Sequence, residues 1–223
     1  MRAATVHGVR ARAWFGIAGP VAFTAAWAAC SYRQAGYSVA EVQLSGLAAA
    51  DARDPQIMIA GFAALGVGSI VFGTALRQLL GARSAGPWLV TCGGAAALAA
   101  GLLRRDHMLL VGPGFAGESW HNQAHDLVSA VAYAAMIAAP FALALRFRGD
   151  PDWSVLCRPM LLLALASAAA LVLFSSRAVE PWNGIVQRIA VTLPLTAEML
   201  AAARLLALCR TRSPGGGRSS VSV

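Results

Sequence analysis

Long apolar stretches alternate with short polar ones along the chain, and that alternation predicts its elements. A helix needs about 20 mostly apolar residues to cross a bilayer. Six stretches qualify, at 13–31, 56–80, 86–103, 121–145, 158–175 and 184–208. The third and fifth are short, at about 18 residues, and span if they stand nearly upright. Small-residue runs such as Gly93-Gly94 followed by Ala95 to Ala97 predict close helix packing, because they let backbones approach in lipid. Pro20, Pro140 and Pro194 fall inside spans, where neighbouring helices can satisfy the backbone groups that a proline frees. The expected fold is all-α, a polytopic bundle of six transmembrane helices. Residues 1–12 precede it, 13–209 form the membrane domain, and 210–223 make a tail of disordered type, rich in Gly and Ser after Ser213.

Composition strengthens this reading. Hydrophobic residues make up 58% of the 223 and charged residues 13%, too few to cover the surface of a water-soluble fold. Mean hydropathy is +0.62. The first span has a basic flank (Arg2, Arg10, Arg12) and ends in Trp27-Ala28-Ala29-Cys30, a distant echo of a lipoprotein cleavage box with Trp where Leu is usual. Five further spans favour an uncleaved first helix over a signal peptide.

Charge gives the bundle a direction. The net charge is +8, carried by 18 Arg and no Lys. With the N-terminus inside, six of these Arg (33, 53, 104, 105, 177 and 188) fall outside and the other twelve inside. The positive-inside rule therefore predicts both ends on the cytoplasmic side of the cell membrane. Glu41, Asp51, Asp54, Asp106, Glu118, Asp126 and Glu180 all fall on the outer side. Because the Arg residues cluster at span ends, nucleic acid is not an expected partner; membrane lipids, and a lipid or small amphipathic substrate, are. Cys30, Cys92, Cys157 and Cys209 show neither C-x-x-C spacing nor a disulfide framework, which predicts buried or reduced thiols.

Polarity concentrates in the outer loops, with Gly36-Tyr37-Ser38 and Leu44-Ser45-Gly46 in the first and Gly112-Pro113-Gly114 in the second. His121 and His125 stand four apart at the start of the fourth span, so a helix puts both on one face, the spacing of metal-binding His pairs. Asp106 and His107 precede them and Asp126 follows. Together these residues could form a His/Asp metal set, or simply hydrogen-bond loop carbonyls. Arg188, one turn into the sixth span, needs a partner there; Asp126, at similar depth, is the expected one, and an anionic headgroup the alternative. Glu198 is the deepest ionisable residue and lies ten positions from Arg188, not a whole number of turns. It could be a neutral hydrogen-bonded acid or part of a proton path. Ser45 has no G-x-S-x-G context and reads as a loop turn, a re-entrant cap or a nucleophile.

The order of these motifs carries a resemblance. A Gly-Tyr-Ser loop, a Leu-Ser-Gly turn, Gly61-Phe62 in the second span and an Asp after the third are followed by His-x-x-x-His and Gly-x-x-Gln-Arg. From about Trp14 to Leu208 the chain resembles the bacterial six-helix membrane family catalogued as domain of unknown function 998. The resemblance implies the fold and marks Ser45, Asp106, His121, His125 and Arg188, but implies no reaction. Arg104-Arg105 stand where the family usually has Phe-Pro, and Gln187 where Glu is common. A fainter similarity, by analogy of inventory alone, is to membrane hydrolases that include alkaline ceramidases, which combine Ser, Asp and His around zinc.

Three functions are compatible with these residues. One is a lipid-modifying enzyme, with zinc on His121, His125 and Asp106 and with Ser45, Asp106 and Arg188 catalytic. Another is a small proton-coupled permease using Glu198 and Arg188. The third is a non-catalytic scaffold or sensor.

Overall fold

The computed structural model describes residues 3–109, 119–176 and 178–211, with side chains from His7 onward. Arg2, the Gly112-Pro113-Gly114 turn, Glu118, Arg177, Arg212, Arg218 and the tail from Ser213 lie outside the described residues. All six expected spans are helices: α1 (Ala3–Arg33), α2 (Pro55–Leu80), α3 (Ala85–Leu102), α4 (Trp120–Phe147), α5 (Cys157–Ser175) and α6 (Asn183–Thr211). Each is long and apolar enough to cross a membrane, and the described residues contain no strand. The chain is a multi-pass membrane protein.

The helices outrun their apolar stretches. α1 begins at Ala3 rather than at 13, and α6 takes in Arg210. Hydropathy marks the part that lies in hydrocarbon, whereas intrahelical hydrogen bonding continues into the headgroup region. There Arg12 donates to Gln78 Oε1 (2.7 Å) and Thr74 Oγ1 (3.4 Å) of α2.

Sequential helices pack side by side, and α6 returns against α1 to close the bundle. The α2–α3 crossing rests on glycine. A Cβ on Gly66 would stand 2.7 Å from the Gly94 carbonyl oxygen, and one on Gly94 would stand 2.8 Å from that of Gly66. Any larger residue at either position would force α2 and α3 apart, as expected where small residues set helix approach in lipid. The prolines are accommodated by packing. Pro194 has no N–H to give the Ala190 carbonyl, one turn earlier, and Ser167 of α5 donates to that oxygen instead, at 2.6 Å. Leu162, Val172 and Leu173 on α5 are exposed, as lipid-facing side chains must be. Exposed Trp88, Trp120 and Trp182 stand at or beside the starts of α3, α4 and α6, the level of an interfacial aromatic belt.

Two apolar cores lie along the bundle. One includes Phe72, Leu143, Phe147 and Trp153, with the last two rings stacked at 4.7 Å. The other includes Phe23, Leu47, Met58 and Phe62 and lies toward the end where the α1–α2, α3–α4 and α5–α6 connections meet. At that end the first connection folds a 3-10 helix, Leu44–Ala48, back into the bundle, with all five residues buried. Of the cysteines, Cys30 is buried within unbroken α1 and Cys209 is buried; Cys157 is half-buried and Cys92 exposed. Among the described residues Cys30, Cys92 and Cys157 form no disulfide.

Candidate functional site

The segment leading into the inserted 3-10 helix exposes backbone groups that must find partners, and the start of α6 supplies most of them. Gly184 N–H donates to the Ala40 carbonyl at 2.7 Å. Arg188 Nη1 donates to the carbonyls of Val39 (3.0 Å), Val42 (3.0 Å) and Gly184 (2.8 Å), and its Nη2 to the Tyr37 hydroxyl. The guanidinium also lies 5.3 Å from the Trp27 ring centroid, within cation–π range. Gln187 Oε1 accepts from Leu44 N–H at 2.6 Å. From the other side, Arg104 Nη2 donates to the Ala49 carbonyl (3.2 Å), and Ala50 N–H to that of Arg105 (2.9 Å). Of the readings open for Ser45, this geometry matches the re-entrant cap.

The expected Arg188–Asp126 pair does not form. Asp126 instead meets Arg105, with Nη1 3.3 Å from Oδ1. Carbonyls and a tyrosine take the Arg188 Nη1 and Nη2 because loop one folds over the start of α6 and brings those acceptors to it, while its Nε finds no hydrogen-bond partner among the described residues. Arg105 is buried and its Nε has no hydrogen-bond partner among the described residues.

Asp106, Ser119 and His121 form a second cluster. Ser119 is the N-cap of α4, its hydroxyl oxygen accepting from Asn122 N–H at 3.2 Å, the usual role of a serine there. The same hydroxyl donates to Asp106 Oδ1 at 2.6 Å and lies 2.6 Å from His121 Nδ1. Ser119 N–H donates to Asp106 Oδ2 at 2.8 Å. The Ser119 hydroxyl, then its N–H, hold the Asp106 carboxyl below the usual carboxylate range. This trio has the inventory of a hydrolase but not its relay, because the aspartate accepts directly from the serine rather than orienting the histidine behind it. It fastens the α3–α4 connection to α4.

The two histidines do share a helix, but at different depths. His121 is 44% exposed in its side chain, while His125 as a residue is 1% exposed. His125 Nδ1 lies 2.9 Å from the Ala100 carbonyl and 2.7 Å from that of Leu103. Both partners are acceptors only, so Nδ1 carries the proton; in the neutral ring Nε2 then holds the lone pair. Nε2 has no hydrogen-bond partner among the described residues. Asp106 and His121 meet, and His125 does not join them. Among the described residues no three His, Cys, Asp or Glu side chains gather into a set able to hold a metal ion.

His125 lines a cavity of about 370 Å³ inside the bundle. Ser45, Arg105, Asp126, Tyr133 and Gln187 supply its polar part, and Phe23, Phe62, Leu65, Met136 and Phe174 its apolar walls. The Tyr133 hydroxyl lies against Gln187, the residue that holds the 3-10 helix. A mostly apolar pocket with a few convergent polar groups is the usual form of a small-molecule site.

Of the residues the sequence marked, Ser45, His125 and Asp126 come to this cavity, and Arg188 lies outside its lining, on the carbonyls of Val39 and Val42. Asp106 and His121 stand apart at the cap of α4, and Glu198 lies deeper. Sequence reasoning missed Arg105, Tyr133 and Ser119. Only Ser119 carried a readable signal, a serine directly before an apolar run.

A model of the family described as "Protein of unknown function (DUF998)" matches residues 17–204. No curated protein and no solved structure matches the chain.

Proposed function

The chain belongs to the DUF998 family, and we propose that it takes an amphipathic molecule from the bilayer and performs base-assisted chemistry on its polar head. Hydrolysis of an ester or amide is the reaction class. The observation that carries this reading is the cavity that combines apolar walls with His125, whose Nδ1 is fixed by two backbone carbonyls. A histidine held this way presents one basic nitrogen in a set direction.

In the proposed step, His125 Nε2 accepts a proton from a water molecule as the water oxygen bonds to the acyl carbon. The imidazolium then returns that proton to the departing alcohol or amine as the acyl–heteroatom bond breaks. Arg105, held by Asp126, faces the charge that develops on the acyl oxygen. Phe62, Leu65 and Phe174 receive the apolar tail. The arginine distribution supports an outer-leaflet location in the cell membrane.

His125→Asn tests the proposal directly. The asparagine amide can still donate to the Ala100 and Leu103 carbonyls, but it has no equivalent of Nε2. The expected outcome is retained folding and retained binding of co-purifying lipid, measured by extraction and mass spectrometry, with loss of ester or amide turnover. Wild-type turnover in this variant would overturn the base assignment, and purified protein that binds no amphipath would overturn the site. Elemental analysis separates direct base catalysis from a zinc-bound water, which needs stoichiometric metal lost in His121→Ala.

A further inference from the structure

A second, smaller cavity lies deeper in the bundle, and it contains the one acidic side chain within the apolar length of α6. Glu198 Oε2 accepts from the Ser69 hydroxyl of α2 at 3.0 Å. Its other oxygen, Oε1, is buried with no hydrogen-bond partner. Beside it is a cavity of about 20 Å³. A water needs on the order of 10–15 Å³ by the same kind of measure, so there is room for one water or one small ion and no more.

Among the described residues, no charged side chain other than Glu198 lines this cavity. α2 contributes Leu65 and Ser69, α3 contributes Val90, Gly93 and Gly94, and α4 contributes Met136, Ala139, Pro140 and Leu143. α6 itself adds Pro194 and Ala197. None of these side chains is charged or titratable. An unpaired charge in this setting costs several kcal/mol, so the carboxyl needs a cation in place. The surroundings offer oxygen to one: Ser69 Oγ is already at the carboxylate, and Pro140 has no N–H to give the Met136 carbonyl one turn earlier. Small cations prefer such oxygen ligands.

The cavity also has a route to the polar groups above it. Leu65 and Met136 line both cavities, so these two side chains are the partition between Glu198 and the His125 chamber. Met is unbranched and changes rotamer readily, and leucine is the one bulky neighbour it must pass.

We infer that Glu198, Ser69 and the cavity beside them form an exchangeable site for one small monovalent cation, a proton or Na⁺, reached from the upper chamber past Leu65 and Met136. The site is independent of the proposed acyl chemistry, and its charge balance is simple. The carboxylate binds one positive ion and releases the same ion, with no bond in the chain made or broken.

Labelling with dicyclohexylcarbodiimide tests the inference on the full chain in liposomes. This apolar carbodiimide reacts with protonated carboxyls inside membranes, and mass spectrometry locates the adduct. Labelling at Glu198 that falls steeply as pH rises, equally in choline and in sodium buffers of the same ionic strength, assigns the site to a proton. Labelling slowed several-fold by Na⁺ relative to choline assigns it to Na⁺. Ser69→Ala should change the rate several-fold in either case, and Leu65→Trp should slow it by blocking entry. No adduct at Glu198, or a rate that ignores both pH and Na⁺, overturns the proposal. None of these readouts depends on hydrolysis, so the acyl-transfer reading stands or falls separately.

Discussion

Replacing Arg188 by alanine removes the donor that seats the segment leading into the inserted 3-10 helix. Its Nη1 serves three carbonyls, of which Gly184 O also has the ordinary helical partner four residues on, whereas Val39 O and Val42 O belong to an irregular connection. Truncation therefore orphans Val39 O and leaves Val42 O only the Tyr37 hydroxyl, at 3.4 Å. A buried polar group left without a partner costs about 1–3 kcal/mol, giving a loss of about 1–3 kcal/mol for Val39 O with a smaller addition from Val42 O. Arg188 is only 7% exposed, so solvent offers little relief. The damage should be local before it is global, because Gly184 N–H and Gln187 still hold Ala40 and Leu44. Arg188→Lys should recover part of the loss, since an ammonium can reach some of the same carbonyls but lacks the planar fork. Thermal unfolding in detergent gives the global change, and amide hydrogen exchange over residues 39–44 gives the local one. A loss below about 1 kcal/mol with unchanged protection there would refute the claim that Arg188 seats this segment.

The other predictions concern single contacts. Gly184→Ala would put a Cβ 2.6 Å from Val42 O and 2.9 Å from Ala40 O, and closer still to Val39 O; it should reproduce the Arg188→Ala exchange pattern, and wild-type protection would show that the connection can yield. Ser167→Ala leaves Ala190 O without its donor and should lower stability by about 1–3 kcal/mol, with no change in the amphipath binding proposed for the upper cavity. Asp106 is held below the usual carboxylate range by Ser119. Its folded value lies under its unfolded one, so its stabilisation is complete above the ordinary Asp range and disappears as pH falls through the folded value. Exchange in the first turn of α4 should speed up over that acidic window, and Asp106→Asn should flatten the profile; identical profiles would remove the assignment.

The sequence made the spans legible because burial in lipid is a property of each segment by itself. It did not make the partners of buried polar groups legible, because those depend on backbone brought from elsewhere. Arg188 was read as needing a carboxylate, since a sequence displays charges and hides carbonyls. Arg104 and Arg105 look alike in the sequence, yet one reaches back to Ala48 and Ala49 while the other turns inward to Asp126. The spacing of His121 and His125 correctly predicted one helix, but spacing says nothing of depth. Between the two, α4 passes from the surface into the bundle, leaving one ring at the cap and the other in the cavity.

The seating of residues 39–44 by α6 also sets an order of manufacture. During synthesis the first connection emerges long before Gly184, Gln187 and Arg188 exist, and its carbonyls stay with water or headgroups until the last helix arrives. A nascent chain that stops after α5 can hold five helices in the membrane and still lack the chamber. The final helix thus acts as the keystone whose insertion turns a set of membrane anchors into a working interior.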